Sequence, residues 1–355
     1  MFRSGLNVGL KKQKFCGALI LVMILCFSFK PVFAQQEPHY TQYALNQFII
    51  NPALAGIENY TDVKISHRHQ WVGLQDAPVT TYLTIHGPIG KADDRITATS
   101  YAMPGENPRG ENYWQQYTAA KPHHGIGLKI INDRTGPLNR LGAYVAYAYH
   151  IGITARTSLA AGFEAGVRNL SLNRSKLDFG SANPVDPAVY TSGDINSVKP
   201  DFGAGLYLYS PDYFIGLSAQ QIIPQNVYFS DLRVKAAQSK LVPHIFATAG
   251  YRFMLNDDFS ALPSVMLKLV SPVPAQVDLN CKVQYRDLVW AGLSVRPTDG
   301  FAGMLGINVS NTFNVGYSYD YTTSALNTLS KGTHEILVGF LLGNRYGDWC
   351  PRNVW

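Results

Sequence analysis

His67 and His69 stand two residues apart in a stretch of alternating character, so a strand would put both imidazoles on one face, a spacing that zinc sites use. The third ligand for such a site would be His86. In its own stretch Leu83 and Ile85 mark the apolar face, which turns His86 to the side opposite His67 and His69. No metal site is expected. Beside Trp71 the two histidines read instead as amphipathic rings suited to a membrane interface. The chain has no Gly-x-Ser-x-Gly elbow, P-loop, paired-cysteine zinc motif or dinucleotide fingerprint. No catalytic or cofactor-binding residue is assigned, and neither an enzyme nor a cofactor is expected. The 21 Tyr and 17 Phe invite a carbohydrate-binding reading. Membrane-interface girdles account for them more simply, because a phenol tolerates the passage from lipid to water.

The elements that would position these residues begin after a leader. Arg3, Lys11, Lys12 and Lys14 precede a 15-residue apolar run at 15–29, shorter than the roughly 18–20 residues of a spanning helix. Val32 and Ala34 supply small residues at minus three and minus one, so residues 1–34 read as a signal peptide cut between Ala34 and Gln35. Lipidation does not fit, since Leu25 precedes Cys26 and Phe15 precedes Cys16 where a small residue is needed. The whole chain carries 30 basic and 24 acidic residues, a formal +6. Five of those basic residues (Arg3, Lys11, Lys12, Lys14, Lys30) lie in the leader, which leaves about +1 and removes the case for a nucleic-acid partner. Cys281 and Cys350 remain, too few for a disulfide framework.

Of 355 residues, 46% are hydrophobic and only 15% charged, which argues against disorder; 31 Gly and 20 Pro argue against a helical bundle. Past Gln35 no apolar run approaches a spanning helix. Segments of about ten residues instead alternate in character, the signature of a transmembrane barrel. In 276–285, Val277, Leu279, Cys281, Val283 and Tyr285 fall on one face and Asp278, Asn280, Lys282 and Gln284 on the other. In 60–71, Val63, Ile65, His67, His69 and Trp71 oppose Asp62, Lys64, Ser66, Arg68 and Gln70. One set suits lipid and the other a polar lumen. In 140–153, rich in Gly, Ala and Tyr, the alternation is weaker.

Fourteen strands are expected, near 60–72, 79–87, 124–132, 140–153, 156–170, 199–210, 212–220, 242–254, 258–270, 275–285, 287–296, 299–309, 311–322 and 332–342. The fold class is thus all-β, an antiparallel up-and-down transmembrane barrel over 58–343, with a short helical or plug segment at 35–57 and a tail at 344–355. Tight connections after strands 4, 6, 8, 10 and 12 read as periplasmic turns, and the long ones at 171–198 and 221–241 as surface loops. The connection after strand 2, 88–123, breaks this rule; 91–123 reads as a periplasmic insertion, either a contact element or a loop of no consequence. Residues 40–50 predict a short helix ended by Asn51 and Pro52. It would cap the periplasmic mouth, lie in the lumen or simply lead into strand 1. The tail, with Trp349, Cys350, Pro351 and Trp355, would aid insertion or fold back to the periplasmic mouth. A Cys281 to Cys350 disulfide is not expected, because Cys281 falls on the lipid face.

Several segments, in order, resemble one family, the PorP/SprF outer-membrane proteins of the type IX secretion system of Bacteroidota. They are Gln42, Tyr43 and Asn46; Asn51, Pro52, Ala53, Leu54, Ala55 and Gly56; Arg68, His69, Gln70 and Trp71; and His86, Gly87, Pro88 and Ile89. GLKIINDRTGP at 127–137 follows, then PDFGAGLYLY at 200–209 with Gly203 and Gly205, and Gly316, Tyr317, Ser318, Tyr319 and Asp320. Gly332, Thr333, His334 and Glu335, then Cys350, Pro351 and Trp355, complete the set. The resemblance implies a fourteen-stranded barrel in the outer membrane of a Gram-negative bacterium, with no enzymatic role. Its implied partners are outer-membrane lipid, ring or motor components of the system, and the C-terminal domain of a secreted surface protein such as a gliding adhesin. Where relatives pass from the HGPIG segment to strand 3 by a short turn, this chain inserts roughly thirty residues. The alternative is a porin or solute channel, which would share the polar lumen of Lys64, Arg68, Asp278 and Lys282.

Overall fold

The computed structural model describes residues 40–91, 119–173, 176, 196–227, 239–256, 258–271, 273–286, 288–297, 299–310 and 312–344. Fourteen antiparallel strands close on themselves: β1 (Thr61–His69), β2 (Val79–Ile89), β3 (His123–Thr135), β4 (Leu138–Gly152), β5 (Ser158–Leu172), β6 (Asn196–Tyr209), β7 (Tyr213–Gln220), β8 (His244–Tyr251), β9 (Phe259–Val270), β10 (Val273–Tyr285), β11 (Val289–Arg296), β12 (Gly300–Ser310), β13 (Phe313–Thr322) and β14 (Thr333–Leu342). Each pairs with its neighbours in sequence, and β1 pairs β14 from Thr61↔Leu342 to His69↔His334. Closure leaves no open edge, the condition for strands to cross a membrane.

β8 resumes briefly as Phe253–Met254 after a lapse at Arg252. The lapse lies between the pairs Gly250↔Ser264 and Phe253↔Ala261, opposite Pro263 of β9, whose missing N–H cannot serve the ladder. A two-stranded ladder, Gln225–Val227 with Ser239–Leu241, stands apart from the barrel in the β7–β8 connection.

The period of two governs what each face meets. In β11 exposed and buried residues alternate throughout, with Leu293 65% exposed while Trp290 and Ser294 are buried. The outward face is apolar: Val145, Phe163, Leu305 and Ile336 are all more than half exposed. The inward face carries Lys64, Lys129, Glu164, Asp278, Lys282 and Glu335, all buried. This is a soluble core turned inside out, and only hydrocarbon outside makes it stable. Outward aromatic rings gather at both mouths. Tyr251 with Phe253 and Phe259 with Tyr285 lie at the near mouth, where β1 begins; Phe301 with Tyr321 and Tyr319 with His334 lie at the far mouth. No helix among the described residues is long and apolar enough to cross a membrane.

The strand count agrees with the alternation in the sequence, and several boundaries move. β1 ends at His69, so Trp71 is in the following turn, half-buried with φ 50, and not on the outward face with His67. β2 runs through Gly87 and Pro88 to Ile89. β3 begins at His123, inside the expected insertion, while residues 92–118 of that insertion lie outside the described residues.

Candidate functional site

Residues 40–50 do not form the short helix their spacing predicts, and the segment 40–57 is irregular throughout. It makes three short 3-10 turns, Thr41–Ala44, Gln47–Ile49 and Pro52–Leu54, and lies within the lumen. An α-helix would keep its hydrogen bonds to itself, whereas separated turns release backbone groups that the polar wall takes up. The Asn51 side chain accepts from Ala53 N (3.0 Å) and fixes the start of the third turn, with Pro52 in the position where a missing N–H costs nothing. Gly56 follows with φ +74, and its Cα lies so close to Gly125 that an added Cβ would stand 2.5 Å from the Gly125 Cα.

At the far mouth the segment meets an ion network drawn from five strands. Glu335 of β14 accepts the backbone N–H groups of Thr41 (2.9 Å) and Gln42 (3.2 Å), both orphan donors at the start of a turn. The Thr41 hydroxyl donates to Asp320 of β13 (2.6 Å) and accepts from Arg68 of β1 and Arg296 of β11, each at 2.9 Å. Arg68 pairs with Asp320 (2.7 Å) and Glu335 (3.1 Å); Arg296 pairs with Asp320 (3.0 Å) and with Asp278 of β10 (3.1 Å). Ser66 and Tyr82 donate to the other Glu335 oxygen. Five buried charges are thus tied together through one hydroxyl and two amides of the lumen segment.

Midway, small wall residues let the segment approach to contact. A Cβ on Gly127 would stand 2.4 Å from the Phe48 ring, one on Gly162 2.6 Å from Ala53 Cα, and one on Gly205 2.0 Å from Asn51 Oδ1. Ala146, Ala148 and Ala160 share this cradle, and all are fully buried. Polar groups hold what the cradle admits. Asn46 donates to Thr84, Ser218 to the Ile50 carbonyl (2.7 Å), Gln220 to the Ile49 carbonyl (2.9 Å) and Asn51 to the Leu206 carbonyl (3.1 Å). Beside them Lys129 pairs with Glu164 (2.7 Å). The weak alternation of β4 follows from the cradle, since Gly142, Ala146 and Ala148 face inward there.

At the near mouth three histidines hold the Ala55 and Gly56 backbone. His150 Nε2 donates to the Ala55 carbonyl (2.7 Å), His123 Nε2 to the Gly56 carbonyl (3.2 Å), and His86 Nδ1 accepts from Gly56 N (3.4 Å). His123 and His150 stack face to face with centroids 4.5 Å apart. Lys91 donates to the Ile57 carbonyl (2.8 Å), after which the chain enters β1.

Of the residues singled out from the sequence, Asn51, Pro52, Ala53, Gly56, Gly205, Arg68, Asp320 and Glu335 all meet in the lumen. Gly203 faces Glu164, and Gly87 lies against Thr61 with its carbonyl beside Gly56. Trp71 donates its backbone N–H to Thr333 Oγ1. His334 faces outward and bonds Tyr317 (2.7 Å); His67 also faces outward and bonds Thr81 (2.8 Å), away from buried His86. Cys281 is exposed on the outer face. Ala34, Gln35, Cys350, Pro351 and Trp355 lie outside the described residues. Sequence reasoning missed Thr41, Arg296, His123 and His150. Their inward strand parity was readable for the last three, but not their common depth. Among the described residues, no group of three or more His, Cys, Asp or Glu is arranged to hold a metal ion.

Comparison with known proteins gives a family. The model described as "Type IX secretion system membrane protein PorP/SprF" matches residues 32–340. No curated protein matches the sequence. Solved structures that are similar include the Ralstonia pickettii toluene transporter TbuX, 11% identical over 85% of this chain and 94% of that one with a TM-score of 0.49. The Pseudomonas putida toluene transporter TodX is 10% identical over 87% and 98%, with a TM-score of 0.46. The KdgM porin is 9% identical over 79% and 98%, with a TM-score of 0.34. Likeness at these levels carries nothing about substrate.

Proposed function

The chain belongs to the PorP/SprF family of type IX secretion system membrane proteins, and on that footing we propose that it is a closed holder in the outer membrane. In this reading it retains a secreted surface protein, such as a gliding adhesin, by that protein's C-terminal domain, and faces ring or motor components on its periplasmic side. The observation that carries the reading is the lumen segment, whose contacts run from Glu335 at one mouth to Lys91 at the other. A lumen occupied by a segment seated against the wall at Gly125, Gly127, Gly162 and Gly205 argues against free passage of solute or polypeptide, so the work is assigned to the ends of the barrel.

The near mouth is assigned to the periplasm because both ends of the barrel domain lie there and the connections β6–β7, β8–β9, β10–β11 and β12–β13 are tight. The far mouth then faces outward with the longest connections of that side, 173–195 and 221–243, as the holding surface. Residues 1–34 act as the export signal and are removed.

Affinity capture of the mature barrel from native outer membranes tests this. Recovery of a secreted surface protein supports holding, recovery of ring or motor proteins alone moves the role to the core machinery, and recovery of neither sinks the assignment. Single-channel recording separates the rival: a steady open pore in the unmodified protein would make it a channel.

A further inference from the structure

We infer that the outer wall of the barrel, where β14, β1 and β3 approach the far mouth, carries a site for the phosphorylated headgroup of an outer-leaflet glycolipid, formed by His67, His69, His334 and Arg134. Its placement in the outer leaflet rests on the orientation proposed above. Cross-strand pairing from β13 through β14, β1 and β2 to β3 sets the outward residues of this sector in rows. The deepest of three, Val315, Val338, Ile65, Leu83 and Ile130, is apolar throughout. The next toward the far mouth is Tyr317, Ile336, His67, Thr81 and Asn132, and the last is Tyr319, His334, His69, Val79 and Arg134. Hydrocarbon-like groups thus give way to hydrogen-bonding ones within two rows. Across the barrel the outward face stays apolar almost to the strand ends, with Val295 of β11 and Phe301 of β12 both exposed.

The sector is also one-sided in charge. The carboxylates of these five strands are Asp62, Asp133, Asp320 and Glu335, and every one is buried on the lumen side. What faces outward is a set of donors. The Thr81 and Tyr317 hydroxyls lie 2.8 and 2.7 Å from Nδ1 of His67 and His334, and a hydroxyl donating there leaves the ring proton on Nε2. Among the described residues neither Nε2 has a partner, nor has either nitrogen of His69 or the guanidinium of Arg134. Such donors at the edge of hydrocarbon call for an acceptor, and a phosphate ester supplies oxygens of matching charge. Barrel strands tilt by roughly 35–45°, so the rows slope. The row through Gly87, which lies against Thr61 at the start of β1, reaches β5 at Phe163, well inside that strand's near-mouth end at Ser158. The slope therefore runs outward from β1 to β3, and Arg134 stands farther from the hydrocarbon than His69 and His334. The site is graded in depth as a headgroup is, with imidazoles beside the acyl chains and the guanidinium beyond them.

The test uses the full chain expressed in a Gram-negative host, purified from the outer membrane in mild detergent and titrated with lipid A bearing both phosphates, with adducts counted by native mass spectrometry. One saturable adduct is expected. His67→Leu, His69→Leu and His334→Leu together should weaken it about tenfold or more, with heat-modifiable gel mobility reporting that the barrel still closes. Arg134→Gln, beyond the hydrocarbon, should weaken it about threefold and decides the matter if the triple variant does not close. Lipid A stripped of phosphate should bind the unmodified protein no better than intact lipid A binds the triple variant. Equal binding by both lipids, or by variant and unmodified protein, would overturn the inference. So would full competition by millimolar inorganic phosphate, which would mark a site for free anions, or a co-purifying protein that the triple variant releases in place of lipid. Gln75→Cys, exposed in the β1–β2 turn, separates this inference from the reading it rests on, in a chain with Cys281→Ser and Cys350→Ser. No labelling of intact cells by an impermeant maleimide, with lipid A binding retained, overturns the orientation; labelling with lipid A binding absent overturns the site alone.

Discussion

The Thr41 hydroxyl donates to Asp320 at 2.6 Å, and in doing so spends its only proton, so both of its lone pairs are left for Arg68 and Arg296. A side chain from the lumen segment is thereby the shared centre of an ion network whose other members belong to the wall.

Thr41→Val keeps the shape and removes the hydroxyl, leaving buried charged donors short of an acceptor. A loss of about 2–3 kcal/mol is expected in urea unfolding of the detergent-solubilised barrel. Thr41→Ser should lose less than half of that, and equal losses would show that the hydroxyl is not the centre.

Arg68→Lys tests geometry at constant charge. The guanidinium reaches Asp320, Glu335 and Thr41 at once through two nitrogens, which an ammonium cannot span. Removing its partners' pairing inside the barrel should cost about 3 kcal/mol or more, visible as a lower heat-modification temperature.

Gly162→Val should dislodge the segment, because its Cβ would stand 2.6 Å from the Ala53 Cα and backbone cannot yield as a side-chain tip does. Planar bilayers should then show a higher conductance than with the unmodified barrel. Gly303→Val is the control: its Cβ would have no heavy atom within 4 Å, and the barrel should stay closed.

His150→Phe preserves a ring beside His123 but leaves the Ala55 carbonyl and Tyr209 hydroxyl without their nitrogen partners. The expected cost is about 1–3 kcal/mol, confined to the near mouth. Amide exchange should quicken at residues 55–57 while that of Thr41 is unchanged.

The barrel was legible because lipid and lumen impose opposite chemistry on alternate residues, as Leu279 and Asn280 or Leu293 and Ser294 illustrate. Depth was not. Parity tells that Arg296 and Asp320 face inward, but strand tilt and stagger decide that they meet Arg68 at one level, and no local sequence encodes that. The helix expected over 40–50 failed for a related reason. Its apolar spacing is real, yet Glu335, Ser218 and Gln220 compete for the backbone groups a helix would use internally. The glycines at 203 and 205 stood out as a pattern, and only the position of Asn51 against Gly205 explains the second of them.

Only residues 58–60 link the lumen segment to β1, a tether of about 10 Å at full stretch. Displaced toward the far mouth the segment is arrested by that tether, whereas toward the near mouth, where it is tethered, only its contacts with the wall hold it. The segment is thus held by covalent linkage in one direction and by its contacts with the wall alone in the other.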